Sequence, residues 1–154
     1  MIRIAIAMNL CMLSLAQCSF GQQCAVSLPL RRLRLTSSFG YRIHPIIGGL
    51  KHHNGIDLYA RSDTVFSVLG GIVTKVANNP VTGNYVMICH TCGLQTIYGH
   101  LSAIGVLPGD SVCAGQPIAI TGATGRVTGE HLHFAVRYKD HWLPPLQFLA
   151  GLLR

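Results

Sequence analysis

Two short motifs hold the residues best suited to chemistry. His53-Asn54-Gly55-Ile56-Asp57 sets an imidazole and a carboxylate four residues apart. On a helix that spacing shares a face, but Gly55 points to a turn or strand end instead. His131-Leu132-His133 sets two imidazoles two residues apart. In a strand they point to one face, roughly 6–7 Å from each other, so one can bind a metal while the other stands a step away. Two histidines and one carboxylate on zinc leave a fourth tetrahedral position for water, the arrangement of a catalytic site. Zinc brings the pKa of that water towards neutrality and polarises a carbonyl oxygen. Eight histidines beside only five Asp and Glu make such chemistry the first thing to look for. The chain has no H-E-x-x-H glutamate, so base and oxyanion duties fall on imidazoles, whose pKa lies near operating pH. It also has no G-x-S-x-G elbow and no G-x-x-x-x-G-K-[ST] run, which excludes those serine-hydrolase and P-loop readings.

The elements that must hold these residues read as strands. Charged residues are 11% of 154 and apolar residues 49%, with mean hydropathy +0.41, which excludes disorder and a long charged bundle. With 17 Gly and 7 Pro, the composition suits short strands and tight turns. Alternating or β-branched stretches predict strands over 64–69, 71–76, 85–90, 94–100, 116–121 and 131–138, with turn signals between them. A 3.6-residue period shows only over 146–153. Lys and Arg exceed Asp and Glu by 12 to 5, a net +7 and a pI near 9.4, so an acidic partner is favoured. Nucleic acid is not expected, because aromatic and basic residues do not interleave and there is one Trp. The cluster Arg31-Arg32-Leu33-Arg34 is too short to be a basic tail.

The N-terminus reads as an address. Arg3 is followed by an apolar run to Ala16, too short to span a bilayer but the length of a secretory core, with cleavage after Gly21. The expected organisation is a signal peptide over 1–21, a lead-in over 22–33, a catalytic domain over 34–149 and a tail over 150–154. Leu15-Ala16-Gln17-Cys18 also resembles a lipobox, with Gln17 bulky for one. Export, most naturally to a periplasm, leaves Cys24, Cys89, Cys92 and Cys113 in an oxidising compartment, where three pairings are open. One of them closes a local Cys89–Cys92 ring and joins Cys24 to Cys113.

The blocks Ser37 to Pro45 (S-S-F-G-Y-R-I-H-P), His53 to Asp57, Tyr98-Gly99-His100-Leu101, Gly109-Asp110-Ser111-Val112, Gly115-Gln116 and Thr124-Gly125 leading to His131-Leu132-His133-Phe134 occur in one order. Together they resemble the lysostaphin/LytM-type zinc metallopeptidases, endopeptidases of bacterial peptidoglycan. The resemblance runs from about Arg34 to Leu149. It implies an all-β fold of antiparallel sheets forming a groove, a sandwich or half-barrel, and one zinc ion per chain. It makes His53, Asp57 and His133 the metal ligands and His100 and His131 the pair that handles the proton and the oxyanion. Arg42, His44 and Tyr98 are the substrate-binding residues it suggests, Tyr98 because alternation puts it on the strand face of His100. Glu130 and Ala135 depart from the pattern, which often has Pro and Glu there. Alternation points Glu130 away from His131, towards the rim.

The expected function is an exported zinc metalloendopeptidase cutting peptide cross-links of peptidoglycan. The target is a D-Ala to diaminopimelate link in a Gram-negative envelope and a glycyl bridge otherwise. The alternative is an inactive regulator or wall-binding module of the same fold. Peptidoglycan stems are the expected partner, with an envelope-complex protein a further one and no membrane span after signal removal. The half-barrel echo of biotinyl and lipoyl carriers lacks their lysine hairpin.

Overall fold

Which face of each strand is buried follows from where its apolar residues alternate. The computed structural model describes residues 26–43 and 48–153. Their strands are β1 (Leu35–Ser37), β2 (Gly40–Ile43), β3 (Leu50–His53), β4 (Ile56–Tyr59), β5 (Thr64–Phe66), β6 (Gly71–Asn79), β7 (Gly83–Cys89), β8 (Leu94–Ile104), β9 (Ser111–Val112), β10 (Pro117–Thr121), β11 (His131–Tyr138) and β12 (His141–Leu143). One helix, α1 (Pro145–Leu152), follows with Pro in its first turn, where a missing N–H costs nothing. The main sheet runs β1-β4-β11-β8-β7-β6-β9, with β10 paired to β8 and β5, and β12 to β11. β2 and β3 form a separate hairpin. Every pairing is antiparallel, as the turn-rich sequence predicts.

In β4, Ile56 and Leu58 are buried while Asp57 and Tyr59 face outward. In β11, Leu132 and Phe134 are buried while His131 and His133 face the same way as Asp57. The core collects Tyr98, Phe134, Ile88, Leu101, Ile118 and Val65 beneath that face, and Leu149 of α1 closes it. The lead-in belongs partly to this core: Ser27 N–H donates to Val68 O at 2.9 Å, Phe66 N–H to Pro29 O at 3.0 Å, and Leu30 is 2% exposed. α1 likewise runs through the expected boundary at 149.

β8 breaks the alternation. Between the pairs Asn84–Leu101 and Val86–Tyr98, one residue of β7, Tyr85, stands against two of β8, Gly99 and His100, which is a bulge. His100 takes the left-handed conformation there, with φ of +62°. Tyr98 and Leu101 are therefore both in the core, and His100 turns to the other side. This overturns the expectation that Tyr98 shares a face with His100 and meets substrate. Tyr98 is fully buried, and its hydroxyl accepts from Val68 N–H at 3.0 Å and bonds the Thr96 hydroxyl at 3.1 Å. Burial pushes its pKa up.

Cys89 and Cys92 are free thiols, so the local ring is not formed. Cys89 ends β7 with Sγ 3.6 Å from His90 O, while Cys92 sits exposed in a single 3₁₀ turn at φ of +60°. Cys24, His44 and the expected signal segment lie outside the described residues. Among the described residues no helix is long and apolar enough to cross a membrane.

Candidate metal centre

His53 ends β3 and Asp57 is the second residue of β4, so the turn through Asn54-Gly55 folds the motif back on itself. Gly55 is required there: a Cβ would stand 2.5 Å from Phe134 O and 2.8 Å from the His133 ring. β11 then places His133 opposite Asp57 and opposite Gly99 of β8. Three donor atoms converge. His53 Nε2 is 3.1 Å from His133 Nδ1 and 3.2 Å from Asp57 Oδ1, and His133 Nδ1 is 3.0 Å from Asp57 Oδ1. A tetrahedral zinc ion with bonds of about 2.0–2.1 Å needs ligand atoms roughly 3.3 Å apart. Two imidazoles and a carboxylate at this spacing fit such an ion.

The surrounding contacts fix each ring. His53 Nδ1 donates to Ser38 O at 2.8 Å, which leaves Nε2 bare. Burial by itself would raise the Asp57 carboxyl, but hydrogen bonds from His133 and His53 and their charges outweigh it and hold it well below the usual carboxylate range. Burial lowers the His133 pKa, against the pull of Asp57. Arg42 lies behind the carboxylate, its Nη2 3.6 Å from Asp57 Oδ2, and its buried Nε has no hydrogen-bond partner.

Two further imidazoles stand beside the cluster. The His100 and His131 ring centres are 4.6 Å apart, and His100 is 5.8 Å from the His133 ring. His100 Nδ1 donates to Thr124 O and His131 Nδ1 to Gly129 O, each at 2.8 Å, so both Nε2 atoms are left for other partners. His131 Nε2 is 3.6 Å from Asp57 Oδ1. Burial pulls the His100 pKa down to about 4; the Thr124 carbonyl opposes that, and the neighbouring histidines add to it. A cavity of about 140 Å³ opens over the five side chains, with Arg42, Thr82 and Arg126 at its margin.

The structure brings His53, Asp57, His100, His131, His133 and Arg42 together and leaves Tyr98 out. Glu130 turns away: its carboxylate accepts from Ser62 N–H and, at 3.2 Å, from the Thr121 hydroxyl. His52 is exposed, bonded to Asn54 Oδ1 at 2.7 Å. His90 is buried in a chain from Gly70 O through Thr96 to Tyr98. Sequence reading missed Arg126 and Thr82. Arg126 directly follows the Thr124-Gly125 turn already singled out, which was the available signal.

Residues 51–145 match the family described as peptidase family M23. The chain is 44% identical over 109 residues to the peptidoglycan DD-endopeptidase ShyB of Vibrio cholerae, an alignment spanning 70% of this chain and 26% of that protein. It thus spans about a quarter of that relative's length. A crystal structure of a zinc-containing peptidase from Vibrio cholerae is 40% identical, with a TM-score of 0.69 over 73% of this chain and 35% of that one. The catalytic domain of lysostaphin from Staphylococcus simulans is 28% identical, with a TM-score of 0.70 over 77% of this chain and 92% of that one.

Proposed function

We infer that this chain, which belongs to peptidase family M23, is an exported zinc endopeptidase that cuts peptide cross-links of bacterial peptidoglycan. The observation that carries the reading is the triangle of His53 Nε2, Asp57 Oδ1 and His133 Nδ1, 3.0–3.2 Å on a side, with two more imidazoles beside it. The relative named a peptidoglycan DD-endopeptidase supports the substrate class and favours the D-Ala to diaminopimelate link. The Arg3 to Ala16 pattern supports export to a periplasm.

His53, Asp57 and His133 would hold the zinc ion. When bound, it supplies Lewis acidity, polarising a carbonyl and making water acidic near neutral pH. The protein supplies the rest. His100, held neutral by burial, offers Nε2 as the proton acceptor. His131 turns its Nε2 into the groove beside His100, where it faces the developing oxyanion. The Thr124 and Gly129 carbonyls keep both rings turned with Nε2 inward, so neither reorganises during the reaction. Arg42, which lines the cavity beside Asp57, holds a substrate carbonyl or carboxylate with its guanidinium. The convergence of all five metal-site and proton-handling side chains speaks against an inactive regulator.

The test is mass spectrometry of muropeptides released from purified sacculi. Metal-loaded protein should release cross-link products, chelator should abolish them and zinc should restore them. Products that persist after chelation would overturn the metal role.

A further inference from the structure

The cluster Arg31-Arg32-Leu33-Arg34 finds no place in the metal centre, yet the fold sets it beside one. A cavity of about 590 Å³ opens among Arg31, Arg32, Arg34, Tyr59, Ser62 and Asp63. The segment carrying the arginines is fixed at both ends: Phe66 N–H donates to Pro29 O at 3.0 Å and Tyr59 N–H to Arg34 O at 2.8 Å. Aromatic rings orient the guanidinium groups. Arg34 lies 4.7 Å from the centre of the Tyr59 ring, Arg61 5.9 Å from the same ring, and Arg31 6.0 Å from that of Phe66. Acidic partners are missing. Every ion pair among the described residues involves Asp57, so none of their carboxylates lies within 4.0 Å of these arginines. Asp63, the carboxylate lining the cavity, accepts the Arg61 N–H at 3.0 Å. Preformed planar cations without anions are what a carboxylate-binding site presents.

The cavity also lies in line with the chemistry. Tyr59 follows Asp57 by two on β4 and faces the same way. It is paired directly with His131 on β11, and facing side chains in such a pair start about 4.5–5.5 Å apart. Arg34 lies a further 4.7 Å from the Tyr59 ring, and an extended peptide advances about 3.3 Å per residue, so a strand lying over His131 reaches the first of the arginines about three residues along.

We propose that Arg31, Arg32 and Arg34 form an anion-binding subsite of this groove, which takes a carboxylate of the peptidoglycan peptide stem about three residues from the scissile bond. The proposal rests on the endopeptidase reading for its ligand, and its test separates the two. The metal-loaded full chain is sedimented with insoluble sacculi, native or with stem carboxylates amidated by carbodiimide and methylamine, and half-saturation for hydrolysis is measured on both. Amidation should weaken binding and raise half-saturation about tenfold, the worth of one charge-assisted hydrogen bond. The Arg31→Gln/Arg32→Gln/Arg34→Gln variant should show that loss on native sacculi and no further loss on amidated ones. Arg32→Gln alone, at a position with no ring contact to lose, should show part of the same effect. Equal binding of both sacculi by the unaltered protein overturns the subsite, as do equal losses by the variants on both. Binding to phosphatidylglycerol vesicles that the triple variant loses, with no response to amidation, also overturns it and assigns the cavity to lipid phosphate. Selective binding without hydrolysis overturns the endopeptidase reading and leaves the subsite standing.

Discussion

A ring nitrogen that gives its proton to a backbone carbonyl leaves the opposite nitrogen to do the work. Ser38 O, Thr124 O and Gly129 O take the Nδ1 protons of His53, His100 and His131, which turns three Nε2 atoms inward. His53 then differs in what its Nε2 meets: it lies 3.2 Å from Asp57 Oδ1 and 3.1 Å from His133 Nδ1, whereas His131 Nε2 stands off at 3.6 Å from Asp57 Oδ1. Substitution should reveal that difference. His53→Ala and His133→Ala should lose bound zinc and turnover together, whereas His100→Ala and His131→Ala should keep stoichiometric zinc and lose turnover by about 10²–10⁴. Elemental analysis beside the assay checks this, and equal metal loss in all four would mean that ligands and proton carriers have been divided wrongly. For His100 the sign of the pKa shift gives a second expectation. Burial disfavours the imidazolium, so the neutral ring persists down to about pH 4 instead of 6.5. An NMR titration of its ring protons in the metal-free chain should show a midpoint near 4, and a midpoint at or above 6.5 would contradict the buried setting. The five imidazole and carboxylate positions were legible in the sequence because only side chains of that chemistry serve there. Their carbonyl acceptors were not, because every residue carries a carbonyl and only the fold aims it.

At the scale of the element, β8 shows why period alone misplaced Tyr98. Alternation assigns residues 98 and 100 to one face, and it holds only while the strand stays regular. The extra residue at the bulge reverses the faces, sending Tyr98 to the core and His100 to the groove. Nothing in Tyr98-Gly99-His100 announces this, because a left-handed residue in a bulge is usually glycine and here it is histidine. That conformation costs a side chain roughly 1–2 kcal/mol, strain held at the position where the reaction needs an imidazole. His100→Gly and His100→Ala remove the same ring and the same bond to Thr124, and differ in that strain and, in the opposite sense, in the greater unfolded-state freedom of glycine. The glycine variant should be the more stable by about 1 kcal/mol in urea unfolding, with both inactive. An alanine variant of equal or greater stability would show that strain at 100 is no larger than that difference in freedom. The longer strands, β6, β7, β8, β10 and β11, could be read from their apolar alternation. β1 to β4, β9 and β12 could not, being two to four residues long, with His53 on β3 and Asp57 on β4. β4 shows only two buried residues, Ile56 and Leu58, too few to establish a period.

The whole molecule ties its stability to the protonation of its site. His90, His100 and His133 are each held below the ordinary histidine value, chiefly by burial, so the folded chain binds fewer protons than the unfolded one as pH falls through 6.5. Their contribution is complete above that value and is lost on acidification towards the folded values, about 4 for His100. Asp57 acts in the same direction lower down: its depressed pKa contributes stability above 3.8 that disappears below it. All three shifts run the same way, so none opposes the others, at no more than about 1.4 kcal/mol per pH unit each. Zinc steepens the same dependence, because His53, His133 and Asp57 bind it only when deprotonated. Urea unfolding in chelator should therefore show a midpoint that falls from pH 7 to pH 4.5. At pH 7, zinc at a hundredfold excess over its dissociation constant should add about 2.7 kcal/mol. At pH 4.5 the same zinc should add much less, since imidazole ligands bind it only when deprotonated. A chelated midpoint that stays level or rises between pH 7 and 4.5 would mean that these histidines are not held neutral by the fold. A zinc increment equal at both pH values would place the ion on groups other than imidazoles, and the triangle at the head of β4 would then not be its site.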